Sequence, residues 1–202
     1  MSELYDGAPL ATAVDFASYL KRGLSAEDTA TAEQLLAAAS REVRKFCRWH
    51  VWPSRADELT LDGPGTRTLF LPSAHVTAVE SVTESTVELI DVTDFEWSAD
   101  GMVRRLAGYA WPTGFRSVVI EFTHGFPDDP DAPDGSSGAP ADLRDLVCGV
   151  AARPFDSPRG RIREFSGTVG VTYPQTGPAI SGGIALTRFE RENLTPYRLK
   201  AA

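Results

Sequence analysis

Few side chains in this sequence have the types and spacing for chemistry. They are His50, His75 and His124, Cys47 and Cys148, the acidic run PDDPDAPDGSSGAP, and the arginines that alternate in SPRGRIREF. No two histidines stand at HxxxH or HxH spacing, the arrangement that places two ligands on one metal. The cysteines lie far apart, each in a helix-like segment, which predicts buried free thiols rather than a disulfide framework. His124, in FTHGF, is the candidate general base. A base needs a nucleophile and an orienting partner, and no GxSxG elbow or comparable signature accompanies it.

The acidic run fails as a calcium loop. With Asp129 in first place, Pro133 falls fifth, Asp134 takes the place of the glycine, and Pro140 that of the bidentate glutamate. GPGTRTLF leads into a strand instead of a helix N-terminus, so it reads as a hairpin turn and not a phosphate cradle. Arg159, Arg161 and Arg163 alternate with Gly160 and Ile162, so in an extended chain they share one face. Three readings are open for them: a phosphate or nucleic-acid site, a catalytic loop, and part of an assembly surface. No catalytic, cofactor or metal set emerges from these residues.

The bulk numbers narrow the classes. The chain has 202 residues, 42% hydrophobic and 24% charged, which is globular composition. Its formal charge of −8 opposes general affinity for nucleic acid, because phosphate binding rests on a basic surface. No apolar run approaches the roughly 18–20 residues of a membrane span. The start, MSELYDGAPL, is too polar and acidic for a signal peptide, so a cytoplasmic site of synthesis and action is expected.

The elements that must position these residues are helices at both ends and strands between. ATAVDFASYLKRG predicts a short helix capped by Thr12 and stopped by Gly23, with Val14, Phe16, Tyr19 and Leu20 as its apolar positions. A long helix is predicted from about Ser25 to Trp49, opened by a Ser25/Asp28 capping pair and ended by Pro53. From Asp57 to Phe126 the period changes to alternation, with turns at Gly63-Pro64-Gly65 and Ala99-Asp100-Gly101. The run from Pro127 to Pro140 reads as a mobile surface loop, too polar to pack. A third helix should span Asp142 to Pro154, followed by a hairpin and a short last helix. The expected class is α+β: a helical core of about four helices, a β-rich insertion between the second and third, and a C-terminal hairpin and helix. The expected division is 1–56 with 127–202, including a hairpin at 157–175, and 57–126 as the insertion.

Several strings in this order resemble the head-to-tail connector (adaptor, or head-completion) proteins of tailed phages. They are Leu24-Ser25-Ala26-Glu27-Asp28 through Arg44-Lys45-Phe46-Cys47, then Leu69-Phe70-Leu71-Pro72 with Val76, Val79 and Val82. Trp111-Pro112, Val118 to Phe126 and Pro140-Ala141-Asp142-Leu143-Arg144 follow. The closing signatures are Pro158, Gly160, Glu164, Gly167, Val171 and Tyr173, then Leu186, Glu190, Leu194, Tyr197 and Arg198. The resemblance covers nearly the whole chain, and the long aspartate–proline loop is its one departure.

The resemblance implies a structural virion protein without enzymatic activity or cofactor, assembled in the host cytoplasm and placed in the neck. Its partners would be a portal protein, an adjacent neck or tail-completion protein, and further copies of itself in a homo-oligomeric ring, a dodecamer. DNA would pass through the lumen without specific binding, and an acidic protein suits such a conduit. Within that frame the segment from Ser157 reads as a subunit-contact hairpin, with Arg159, Arg161, Arg163, Glu164 and Tyr173 at the interface. Leu194, Tyr197 and Arg198 form the expected portal-docking element. The alternatives are a small enzyme using His124 and the acidic loop, and a nucleic-acid-binding module using Arg159 to Arg163.

Overall fold

The computed structural model describes residues 7–156, 163–166, 169–172, 175–177, 180–181 and 183–199. The chain forms two compact units. One comprises the chain up to Arg48 with Pro127–Pro196, and the other Trp49–Phe126 with the stretch from Tyr197. The class is α+β, with the strands of the second unit lying between the second and third helices in sequence.

In the first unit, α1 (Ala13–Leu20) opens on a complete capping box. Thr12 Oγ1 accepts from the Asp15 N–H, and the Asp15 carboxylate accepts from the Thr12 N–H at 2.7 Å. Helix α1 ends at Leu20 because Lys21 turns left-handed at φ 53°, two residues before Gly23. Helix α2 (Ala26–Cys47) starts on Ser25, whose Oγ accepts from Asp28 N–H. It stops at Cys47, with Arg48 left-handed at φ 70°, before Pro53 is reached. Ala32, Leu36, Ala39, Val43 and Cys47 form its buried stripe at helical spacing. Helix α3 (Ala141–Asp156) packs on both earlier helices and carries Pro154 within its last turn. The segment before α1 is also tied down: Leu10 N–H donates to Ser40 Oγ, and buried Arg44 donates to Ala8 O at 2.6 Å.

Beyond α3 the backbone forms an antiparallel hairpin of β8 (Arg163–Ser166) and β9 (Val169–Thr172). A second small pairing joins β10 (Gln175–Gly177) and β11 (Ile180–Ser181). Helix α4 (Arg188–Asn193) and a 3-10 turn at Thr195–Tyr197 close the described chain.

In the second unit a four-stranded antiparallel sheet has the order β1-β7-β3-β4, built from Arg55–Pro64, Thr113–His124, Val76–Glu84 and Val87–Glu88. A three-stranded antiparallel sheet joins β2 (Thr68–Phe70), β6 (Met102–Arg105) and β5 (Phe95–Ser98). Alternation works as expected along β1, every second residue of which is half-buried. Leu69, Val82, Phe95, Val103, Trp111, Ile120 and Phe122 are among the residues of the shared core. Trp111 satisfies its indole N–H there by donating to Val103 O at 3.2 Å.

Candidate assembly surface

All three histidines lie in the second unit, and backbone pairing explains the proximity. His124 ends β7 opposite Arg55 of β1 and Val76 of β3, which brings His75 to the same edge. His124 Nε2–H donates to Asp57 Oδ2 at 2.9 Å, and Arg55 Nη2 holds the same oxygen at 2.7 Å. The His50 ring meets the His124 ring edge-on at 4.4 Å, while His50 Nε2 lies 2.7 Å from Pro53 O and therefore carries a proton there. His75 stacks on Phe126 at 4.5 Å. Gly125 is required between them: at φ 103°, an added Cβ would come within 2.5 Å of Pro53 O and 2.6 Å of His50 Nε2.

This arrangement is a joint between strands. Burial pushes the His124 pKa down, overcoming the upward pull of the Asp57 hydrogen bond and charge, with Arg55 adding to the lowering. Burial works to raise the Asp57 pKa, yet the His124 hydrogen bond together with the Arg55 charge and hydrogen bond holds it below its usual value. His124 is 1% exposed, so it cannot exchange a proton with a solvent-borne substrate in this conformation. The partner that orients a base is present, but no hydroxyl or thiol among the described residues hydrogen-bonds to it. Both cysteines are free and buried, as expected. Burial, then Asp15 and Asp145, push the Cys148 thiol up to about 12 against Arg144, which leaves it protonated and unreactive.

The acidic loop differs from its expectation of being too polar to pack. Arg144, on α3 and 8% exposed, donates to Ser137 O at 2.8 Å and Ala139 O at 3.1 Å, and pairs with Asp129 Oδ2 at 3.1 Å. Asp15, already capping α1, also accepts from Ser137 N–H at 2.9 Å, and Thr12 Oγ1 donates to Gly135 O. Burial alone would raise the Asp15 pKa, but the Ser137 and Thr12 N–H groups, with the Ser136 and Thr12 hydroxyls, hold it below the usual carboxylate value. Polar groups of the loop are thus satisfied by Arg144, a few residues beyond it, and by Asp15, more than a hundred residues away. No group of His, Cys, Asp or Glu among the described residues is placed to hold a metal ion.

Of the expected interface residues, Arg163 and Glu164 lie on β8, in register with Thr172 and Val171 of β9. Arg159, Arg161 and Tyr173 lie outside the described residues. The expected docking element divides by burial. Leu194 is 0% exposed and therefore anchors the chain end by packing. Tyr197 is half-buried: its carbonyl accepts from Trp49 Nε1 at 2.7 Å, and its ring meets Phe126 edge-on at 5.4 Å. Arg198 is exposed.

Sequence reasoning missed what holds α4 in place. Arg153 of α3 pairs with Glu190 at 2.5 Å and donates to Gly183 O and Ala185 O, while the other Glu190 oxygen closes a capping box with Thr187. The Thr-x-x-Glu spacing of TRFE was a signal for the cap. Nothing local pointed to Arg153. Helix α4 then presents Phe189, 70% exposed, beside the exposed Arg188 and Arg191.

Neither a protein-family model nor a curated protein matches the sequence. Solved structures do match it in fold. A chain of "Neck of native GTA particle computed with C12 symmetry" superposes with TM-score 0.50 at 19% identity, over 98% of this chain and 94% of that one. A chain of "Neck of empty GTA particle computed with C6 symmetry" gives TM-score 0.50 at 18% identity, over 94% and 90%. GTA denotes a gene transfer agent. The fold of this protein is that of these neck chains, along nearly its whole length.

Proposed function

We propose that this protein is a structural subunit of a phage-like neck, a head-to-tail connector without enzymatic activity. It assembles as a homo-oligomeric, dodecameric ring between a portal protein and a tail-side neck protein. The ring sits in the virion neck after assembly in the host cytoplasm, and DNA passes its lumen without specific binding. The observation that carries this reading is the correspondence of fold, end to end, with chains of symmetric particle necks. The net charge of −8 supports the conduit role, since an acidic protein has no general attraction for phosphate. The burial of His124 speaks against the enzyme alternative.

In this reading the β8–β9 hairpin, with Arg159, Arg161, Arg163, Glu164 and Tyr173, belongs to the contact between subunits. The chain end docks the portal through Tyr197 and Arg198, with Leu194 as the buried anchor that holds them in place. The test mixes the full chain with purified portal and images the product by electron microscopy. Rings seated on the portal are expected, with Tyr197→Ala and Arg198→Glu each weakening the complex at least about tenfold, equivalent to roughly 1.4 kcal/mol. Unchanged affinity in both variants would overturn the docking assignment. Absence of any ring or portal complex would overturn the function.

A further inference from the structure

In the second unit three exposed aliphatic side chains fall within one short segment around and after β4. Val87, Ile90 and Val92 are 61%, 65% and 79% exposed within six residues of sequence. Single exposed apolar residues are ordinary, but several within one short segment mark a candidate contact surface. The segment is also held in a costly conformation. Val92 sits at φ 65°, a left-handed backbone that a β-branched residue seldom adopts.

Local hydrogen bonds over-determine that shape. Val92 N–H lies 2.8 Å from Asp91 Oδ1 and 2.9 Å from Phe95 O, and Asp94 Oδ2 accepts from Ile90 N–H at 2.9 Å. Leu89 N–H donates to Val82 O, tying the segment to the sheet. The result is a pre-shaped apolar knob, which loses little conformational entropy on binding. Its remaining charges are Glu88 and Asp91, both exposed and neither in an ion pair among the described residues.

The chain itself carries the complement. In the first unit an open groove is lined by Phe46, Leu186, Arg188, Arg191, Glu192 and Thr195, so guanidinium groups outnumber carboxylates along it two to one. Among the described residues Arg188 pairs only with Glu192, at the surface, and Arg191 has no ion pair. A segment with exposed aliphatic side chains and two carboxylates matches a groove that offers Phe46 and Leu186 beside two guanidinium groups, whose one carboxylate, Glu192, is engaged by Arg188.

We propose that the knob at Val87–Val92 of one copy seats in the α4 groove of a second copy. Two different surfaces meeting head-to-tail make a heterologous contact, the kind that closes into a ring when the rotation permits. The proposal rests on the ring reading above and names a contact for it, separate from the β8–β9 hairpin.

The test uses the full chain carrying Ile90→Cys and Thr195→Cys together under mild oxidation; the native Cys47 and Cys148 are buried and do not compete. A ladder of disulfide-linked oligomers is expected from the double variant and not from either single one. Adding Glu88→Arg with Asp91→Arg, or Arg188→Glu with Arg191→Glu, should cut the ladder about tenfold, and combining all four reversals should restore it. Equal linkage from Ile90→Cys alone would mean that like surfaces meet, and a ladder indifferent to charge reversal would mean that knob and groove do not; either overturns the contact. Reversal at Glu88 and Asp91 that spares rings but abolishes portal capture would assign the knob to the portal instead. Rings without a ladder refute this contact and leave the ring reading standing. A chain that never self-associates refutes both.

Discussion

Arg144 pairs with Asp129 at 3.1 Å across fifteen residues of chain, and the same guanidinium holds the carbonyls of Ser137 and Ala139. One side chain therefore supplies the loop with the partners that its own proline-interrupted backbone cannot make. Replacing Arg144 with Leu strands a carboxylate and two carbonyls, at a cost on the order of 3 kcal/mol. Urea unfolding should show that loss, and limited proteolysis should cut between 128 and 138 in the variant well before the wild type.

The histidine joint sets a pH dependence. His124 has its folded value below the ordinary 6.5, so its contribution is intact above about pH 6.5 and is lost as pH falls through the folded value. Asp57, facing it with Arg55, lies below its ordinary 3.8, so its contribution persists to lower pH and is lost only as pH falls through its own depressed value. Stability should therefore decline in two limbs on acidification. His124→Gln, which keeps a donor toward Asp57, should remove the upper limb only. Urea midpoints measured between about pH 8 and pH 3 separate the two.

Glu190 joins two devices, the cap of α4 and the pairing to Arg153. Glu190→Ala removes both and should loosen α4 and the stretch that leads into it from 183, at a cost of about 2 kcal/mol. Glu190→Gln keeps much of the cap and loses the charge, so its effect should be smaller. Hydrogen exchange of the α4 amides, compared with those of α2, measures the local release.

Charge reversal at Arg161 and Arg163 tests the hairpin. Under the proposed function these variants fail to form rings while unfolding at the wild-type urea midpoint. Particle imaging paired with circular dichroism distinguishes a lost joint from a lost fold, and unaltered rings would return these arginines to the phosphate reading.

The sequence by itself determined the elements whose causes are local. Thr12/Asp15, Ser25/Asp28 and Thr187/Glu190 cap helices over three residues, and the alternation along β1 separates its two faces without reference to any partner. It also carried the connector-like order of motifs, and the fold now observed agrees. Helix ends were less legible: Lys21 and Arg48 stop α1 and α2 by turning left-handed, a choice no glycine or proline at those positions announced. What the tertiary structure alone decided depends on residues distant in sequence. Asp15 reaches Ser137, Asp57 reaches His124, and Trp49 reaches Tyr197, so the last of these places the chain end with the strand unit. The physical reason is that a buried polar group takes whatever partner the packing brings within about 3 Å. Spacing along the chain constrains that partner only within a turn or two.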